Sequence, residues 1–210
     1  MYSPKTLSEF YKFTIDAIYA FIIGLSFVQL DNLVTPFEKI FQNFIPILGV
    51  GFVYFLIIAG WVGYHKSIMI QPHWGRFGTL RYLIDLFIMF IVYNLLLVSN
   101  PSSSTMYGQI FIYLIPILFT LYLIWDMVRI FEFRKRYPLY TGSLNGFKKT
   151  IIFGFVALVI SAIYAYILPE YIWTRADFTN RNSIDIYFVI IFIIHTCVYR
   201  WIKSIKVKAG

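Results

Sequence analysis

Six long apolar runs, almost free of charge, dominate this 210-residue sequence and leave few folds open to it. They lie at about 13–30, 44–64, 82–99, 107–128, 150–168 and 184–201. A helix needs roughly 20 mostly apolar residues to cross a bilayer, and each run comes close to that length. Inside hydrocarbon every backbone N–H and C=O must be paired within the protein, so only helices or closed barrels can span it. The apolar residues here run continuously instead of alternating, which argues against barrel strands. The expected fold is an all-α integral membrane protein, one domain over residues 1–210 with six transmembrane helices. Composition agrees: 60% of residues are hydrophobic and 13% charged, against roughly 45–50% and 25% in soluble domains. A separate soluble catalytic or sensor domain of ordinary size does not fit in what remains.

The net charge of +8 would suggest nucleic acid in a soluble protein. Here the basic residues sit between the apolar runs, so topology is the better reading and no nucleic-acid partner is expected. Lys66, Arg76 and Arg81 follow the second run, and Arg129, Arg134, Lys135, Arg136, Lys148 and Lys149 lie between the fourth and fifth. Lys203, Lys206 and Lys208 close the sequence. The opposite side has Lys39 with Asp31 and Glu38, a neutral SNPSSST turn, and Arg175 and Arg181 with Glu170 and Asp177. Lys and Arg mark the cytoplasmic side, which with an even number of spans puts both termini inside. Lys5, Glu9 and Lys12 precede the first run and no small-residue cleavage site follows before Asp31, so no cleavable leader is expected. Pro101 with Ser102 to Ser104 reads as an outer turn, and PLYTGSLNGF at 138–147 as a cytoplasmic one.

Polar residues inside a span are costly and usually face the bundle interior or water. Asp16, Asp85 and Asp126 all fall near the cytoplasmic ends of their helices. Each has a basic residue one turn away, Lys12, Arg81 and Arg129 respectively, at spacings that allow local salt bridges. Asp16 also opens the first helix, where the macrodipole favours an acid. On that helix Ala17, Ala20 and Gly24 form a small-residue stripe of the kind that lets helix backbones approach closely. Phe21, Leu25 and Val28 make an apolar face beside it, equally suited to lipid, core or pore. Trp61 and His65 stand one turn apart in GWVGYHKS, His73 adjoins Trp74, and His195 lies within the sixth run. Asn94, mid-span in the third helix, has the chemistry to bridge helices by hydrogen bonding.

Signals for enzymatic chemistry are absent: no GxSxG, no P-loop, no glycine-rich dinucleotide turn. The histidines do not share a metal-like spacing, and with one cysteine, Cys197, neither an intrachain disulfide nor a cysteine-rich zinc site is available. Neither cofactor nor metal is expected.

The first helix, TIDAIYAFIIGLSFVQL, resembles the opening helix of the transmembrane-protein-175 family of potassium channels. That helix begins Phe-Ser-Asp; Asp16 matches the Asp, with Thr14 and Ile15 in the other two places. WVGYH is similar to the family's Trp-x-x-His-His, with Trp61 and His65 in register and Tyr64 replacing the first His. In the third helix Asn94 and Pro101 fit the family's Asn, apolar run and Pro. The sequence departs from the family where Phe10 stands in place of an upstream Arg and Gly24 in place of a Thr. The resemblance implies a homotetramer of single-repeat, prokaryotic type whose first helices surround a central pore. By register from Asp16 the constriction would be Phe21, Leu25 and Val28, and Asp16, Trp61, His65 and Asn94 would form a helix-packing network.

The function expected is thus a cation channel, potassium-permeable, with lipid, monovalent cations and other copies of itself as partners. A narrow apolar ring gates by dewetting and by the cost of dehydrating the ion. The alternatives are a non-conducting scaffold or membrane-perturbing protein, and a small transporter using Asp16, Asp85 or His195.

Overall fold

The computed structural model describes residues 4–35, 37–40, 44–70, 75–99, 105–136, 144–167 and 178–204. All regular structure among them is helical. The long helices are α1 (Pro4–Val34), α2 (Phe44–Ile70), α3 (Gly75–Val98), α4 (Thr105–Arg136), α5 (Leu144–Ala162) and α6 (Phe178–Ser204). A 3-10 turn, Phe37–Lys39, follows α1, and a π turn, Ile163–Ile167, continues α5. Helices α1 to α5 are each long and apolar enough to cross a membrane, as in a multi-pass integral membrane protein, and α6 adds a shorter apolar stretch, Ile186–Trp201. The outer turn at 101–104, His73 with Trp74, and residues 168–177 lie outside the described residues.

Several helices outrun their apolar cores. Helix α4 continues to Arg136, so Arg129, Arg134 and Lys135 ride on its last two turns and not on a loop. Helix α1 likewise begins at Pro4, nine residues ahead of the apolar run. The reason is physical: a helix leaving the bilayer loses nothing by continuing, because charged side chains are good helix formers in water.

Helix α1 packs on α2 and α3; α3 packs on α4, α4 on α5, α5 on α6, and α6 returns to α2, which also touches α3. The contacts close a circuit of five helices, with α1 applied to its α2–α3 edge. An aromatic cluster fills the interior: Phe192 of α6 lies 6.0 Å from Phe52 of α2 and 5.4 Å from Phe119 of α4, ring centre to ring centre. Tyr164 in the π turn stacks on Phe188 at 4.5 Å. Because lipid tails are as apolar as these side chains, such van der Waals interlocking, rather than escape from water, holds the helices together.

Polar groups within the spans fold back on their own helices. Thr14, Ser26, Thr120 and Ser161 donate to the carbonyls of Phe10, Ile23, Pro116 and Leu158. Asn94 does the same, its amide donating to Phe90 O at 2.7 Å. The sequence raised a helix bridge at Asn94; the bond one turn back takes up one of its amide hydrogens within its own helix.

Candidate functional site

Asp16 on α1 and His65 on α2 meet at 2.9 Å, carboxylate oxygen to Nε2. Lys12, the local partner suggested by spacing, is exposed. Trp61 stands edge-on to His65, ring centres 5.0 Å apart, as their separation of one helical turn dictates. The structure therefore brings Asp16, Trp61 and His65 together as one α1–α2 contact and leaves Asn94 out of it.

The opposite face of α1 is open. Phe21 and Val28 are 60% and 59% exposed. Leu25 differs from them: it is half-buried and packs against the core. Ala17, Ala20 and Gly24 are exposed beside these large residues, and a side chain added at Gly24 would meet nothing within 4 Å. Along its most apolar stretch only 22% of α1 is buried, against 50% for α3.

The bundle interior carries polar chemistry that sequence spacing did not locate. Arg81 of α3, one turn from Asp85 in sequence, reaches across to Glu132 of α4, Nε to Oε2 at 3.0 Å. Neither side chain is accessible, at 0% and 6% exposure. Asp126 of α4, buried, accepts a hydrogen bond from the Tyr199 hydroxyl of α6. Arg129, one turn from Asp126, lies over the Trp125 ring at 5.8 Å.

Two glycines on α2 make room for the rest. A methyl at Gly60 would stand 2.8 Å from the Tyr19 hydroxyl and 3.4 Å from that of Tyr122, so both hydroxyls converge there from α1 and α4. A methyl at Gly63 would overlap the Arg200 guanidinium, which reaches across from α6. Asp85 and Arg200 both lie within electrostatic range of Tyr19 and Tyr122. The glycine pair, three residues apart and so on one helix face, was the sequence signal for this cluster.

Where α2, α4, α5 and α6 meet, the bundle leaves a cavity of about 30 Å³. Tyr122 and Asp126 line it from α4, and His195, Thr196, Tyr199 and Arg200 from α6. Phe119, Leu56, Ala59, Gly154 and Ala157 supply its apolar wall. Among the described residues, no three His, Cys, Asp or Glu side chains gather as a metal site.

Compared with known proteins, the chain matches no family model, no curated protein and no solved structure.

Proposed function

We propose that the chain is a passive, potassium-permeable cation channel of a prokaryotic plasma membrane, assembled as a homotetramer around α1. All six helices cross the bilayer in this reading, with both termini cytoplasmic as the distribution of Lys and Arg requires.

The observation that carries it is the outward face of α1. An apolar helix with small residues beside large exposed ones suits close approach to another helix. In the tetramer Phe21 and Val28 turn toward the axis with Leu25 at the edge of that face, forming the narrow apolar neck. The Asp16–His65 contact fixes α1 against α2 at the cytoplasmic side of that neck. The resemblance carried by Asp16, Trp61, His65, Asn94 and Pro101 supports the same assignment.

Potassium efflux from proteoliposomes, with the subunit number measured on the same preparation, tests the reading. Conduction by a tetramer is the expected result. A well-folded protein that passes no cation would instead be a scaffold.

A further inference from the structure

The charges where α4 ends and α5 begins are sorted by sign. These two helices pack on one another and are joined by residues 137–143, so the end of α4 and the start of α5 share one side of the bundle. The acids of α4 are Asp126 and Glu132, and α5 has none. Both acids are buried, at 2% and 5% exposure, Asp126 against Tyr199 and Glu132 against Arg81. The bases turn the other way: Arg134 and Lys135 on α4, and Lys148 and Lys149 on α5, are exposed. Residues 137–143 add no charge. This end therefore presents positive charge outward, with no exposed acid of either helix to offset it.

The basic pairs also continue the apolar faces of their helices. On α4, Met127 and Phe131 are exposed, and Arg134 and Lys135 follow one turn on. On α5, Lys148 and Lys149 precede exposed Ile152 by one turn, and Phe155 and Val159 extend that face. The apolar spans end at these residues, Ile110–Lys135 on one helix and Lys148–Tyr166 on the other. Lys135 is held at this level by the Phe77 ring of α3, 5.5 Å from its Nζ. Exposed apolar side chains on a spanning helix meet lipid tails, so a cation one turn further out stands at headgroup depth. Several Lys and Arg at that depth beside a span attract anionic lipid. We infer that this end of α4 and α5 is a binding surface for anionic phospholipid. The acyl chains lie along the apolar faces and the phosphate sits on Arg134, Lys135, Lys148 and Lys149. A soluble acidic partner would meet the charges but has no use for the apolar faces that lead up to them. Helix α1 packs elsewhere, on α2 and α3, so this surface stands whether or not α1 lines a pore.

Native mass spectrometry of the full chain tests this, with delipidated protein in detergent titrated with phosphatidylglycerol or phosphatidylcholine of identical acyl chains. The parent should bind phosphatidylglycerol about tenfold more tightly or better. Changing Arg134, Lys135, Lys148 and Lys149 together to Gln should abolish that preference. Lys148→Gln with Lys149→Gln, a smaller change that puts the fold at less risk, should reduce it several-fold. Lys12→Gln with Lys66→Gln removes two exposed bases from α1 and α2 and should leave the preference at the parent level. Glycerol 3-phosphate, an anion of the same headgroup chemistry without chains, should not displace the lipid. The proposal is overturned if the parent binds both lipids equally, or if the preference survives either the double change on α5 or all four changes. An equal loss in the Lys12 and Lys66 variant, or displacement by glycerol 3-phosphate, overturns it as well.

Discussion

Arg81 of α3 and Glu132 of α4 form an ion pair, Nε to Oε2 at 3.0 Å, with both side chains closed off from the surroundings. The two charges are 51 positions apart in sequence and join the helices that share the broadest packing surface in the bundle. Removing one member of a buried pair leaves the other charge short of a bond, at a cost of up to ~3–5 kcal/mol. Glu132→Gln should therefore lower the melting temperature sharply in detergent. The double change Arg81→Met with Glu132→Leu should recover only part of the loss, because buried Asp85, one turn from Arg81, then lacks its basic neighbour. A single variant that melts like the parent would show that the pair does not hold α3 to α4.

The Asp16–His65 contact is a different case, since both side chains remain partly exposed. Its direct worth is then modest, ~1 kcal/mol or less. In the proposed tetramer, its position between α1 and α2 gives it more influence on assembly than on the fold of one subunit. Asp16→Asn should reduce oligomer yield, read by native mass spectrometry, before it changes ion preference. Normal tetramer yield with altered selectivity would make Asp16 an ion-contacting residue instead.

Gly60 and Gly24 should respond in opposite ways to the same substitution. Gly60→Ala drives a methyl into the Tyr19 and Tyr122 hydroxyls, an overpacking that costs about 1–3 kcal/mol. Adding Tyr19→Phe to that variant should restore part of the stability. Gly24→Ala meets open space within the subunit and gains helix propensity of ~1 kcal/mol. The subunit should fold at least as well while the oligomer fraction drops, if α1 packs against another copy. Denaturation midpoints and oligomer fractions measured on all three variants check both halves.

Topology rests on the Lys and Arg asymmetry alone and can be checked directly. With Cys197 replaced by serine, single cysteines placed at 102–104 should react with a membrane-impermeant maleimide from outside. Cysteines at 138–143 should react only after permeabilisation. The reverse pattern would invert the orientation.

The helices were legible in the sequence because continuous apolar runs of bilayer length have one structural solution in lipid. Their ends were less so, since hydropathy marks where hydrocarbon stops and not where the helix does; α4 reaching Arg136 is the plainest instance. The grouping of Trp61 with His65 follows from helical spacing, while the arrival of Asp16 beside them was suggested through resemblance. Spacing also offered Arg81 a neighbour in Asp85, but nothing local marks Glu132 as a second, since any acid on a facing helix is an equal candidate until the helices are docked. The same holds for Asp126 with Tyr199 and for the Arg200 guanidinium over Gly63. Leu25 shows the remaining weakness: on a helical wheel it shares a face with Phe21 and Val28, yet docking against α2 and α3 turns that edge of α1 toward the core.

In the proposed channel α1 lines the conduction path with Phe21 at its narrowest point. A dry apolar neck offers a passing ion no replacement for its hydration shell, so the closed channel should leak little. The most direct measurement is potassium and sodium flux in proteoliposomes carrying equal amounts of parent, Phe21→Ala or Phe155→Ala protein. Phe155 is a comparably exposed ring, at 57% against 60%, on α5, which is remote from α1 in the packing circuit. Phe21→Ala should raise flux and weaken potassium preference, while Phe155→Ala leaves both at the parent level. If the parent conducts and Phe21→Ala changes neither quantity, α1 does not line the pore.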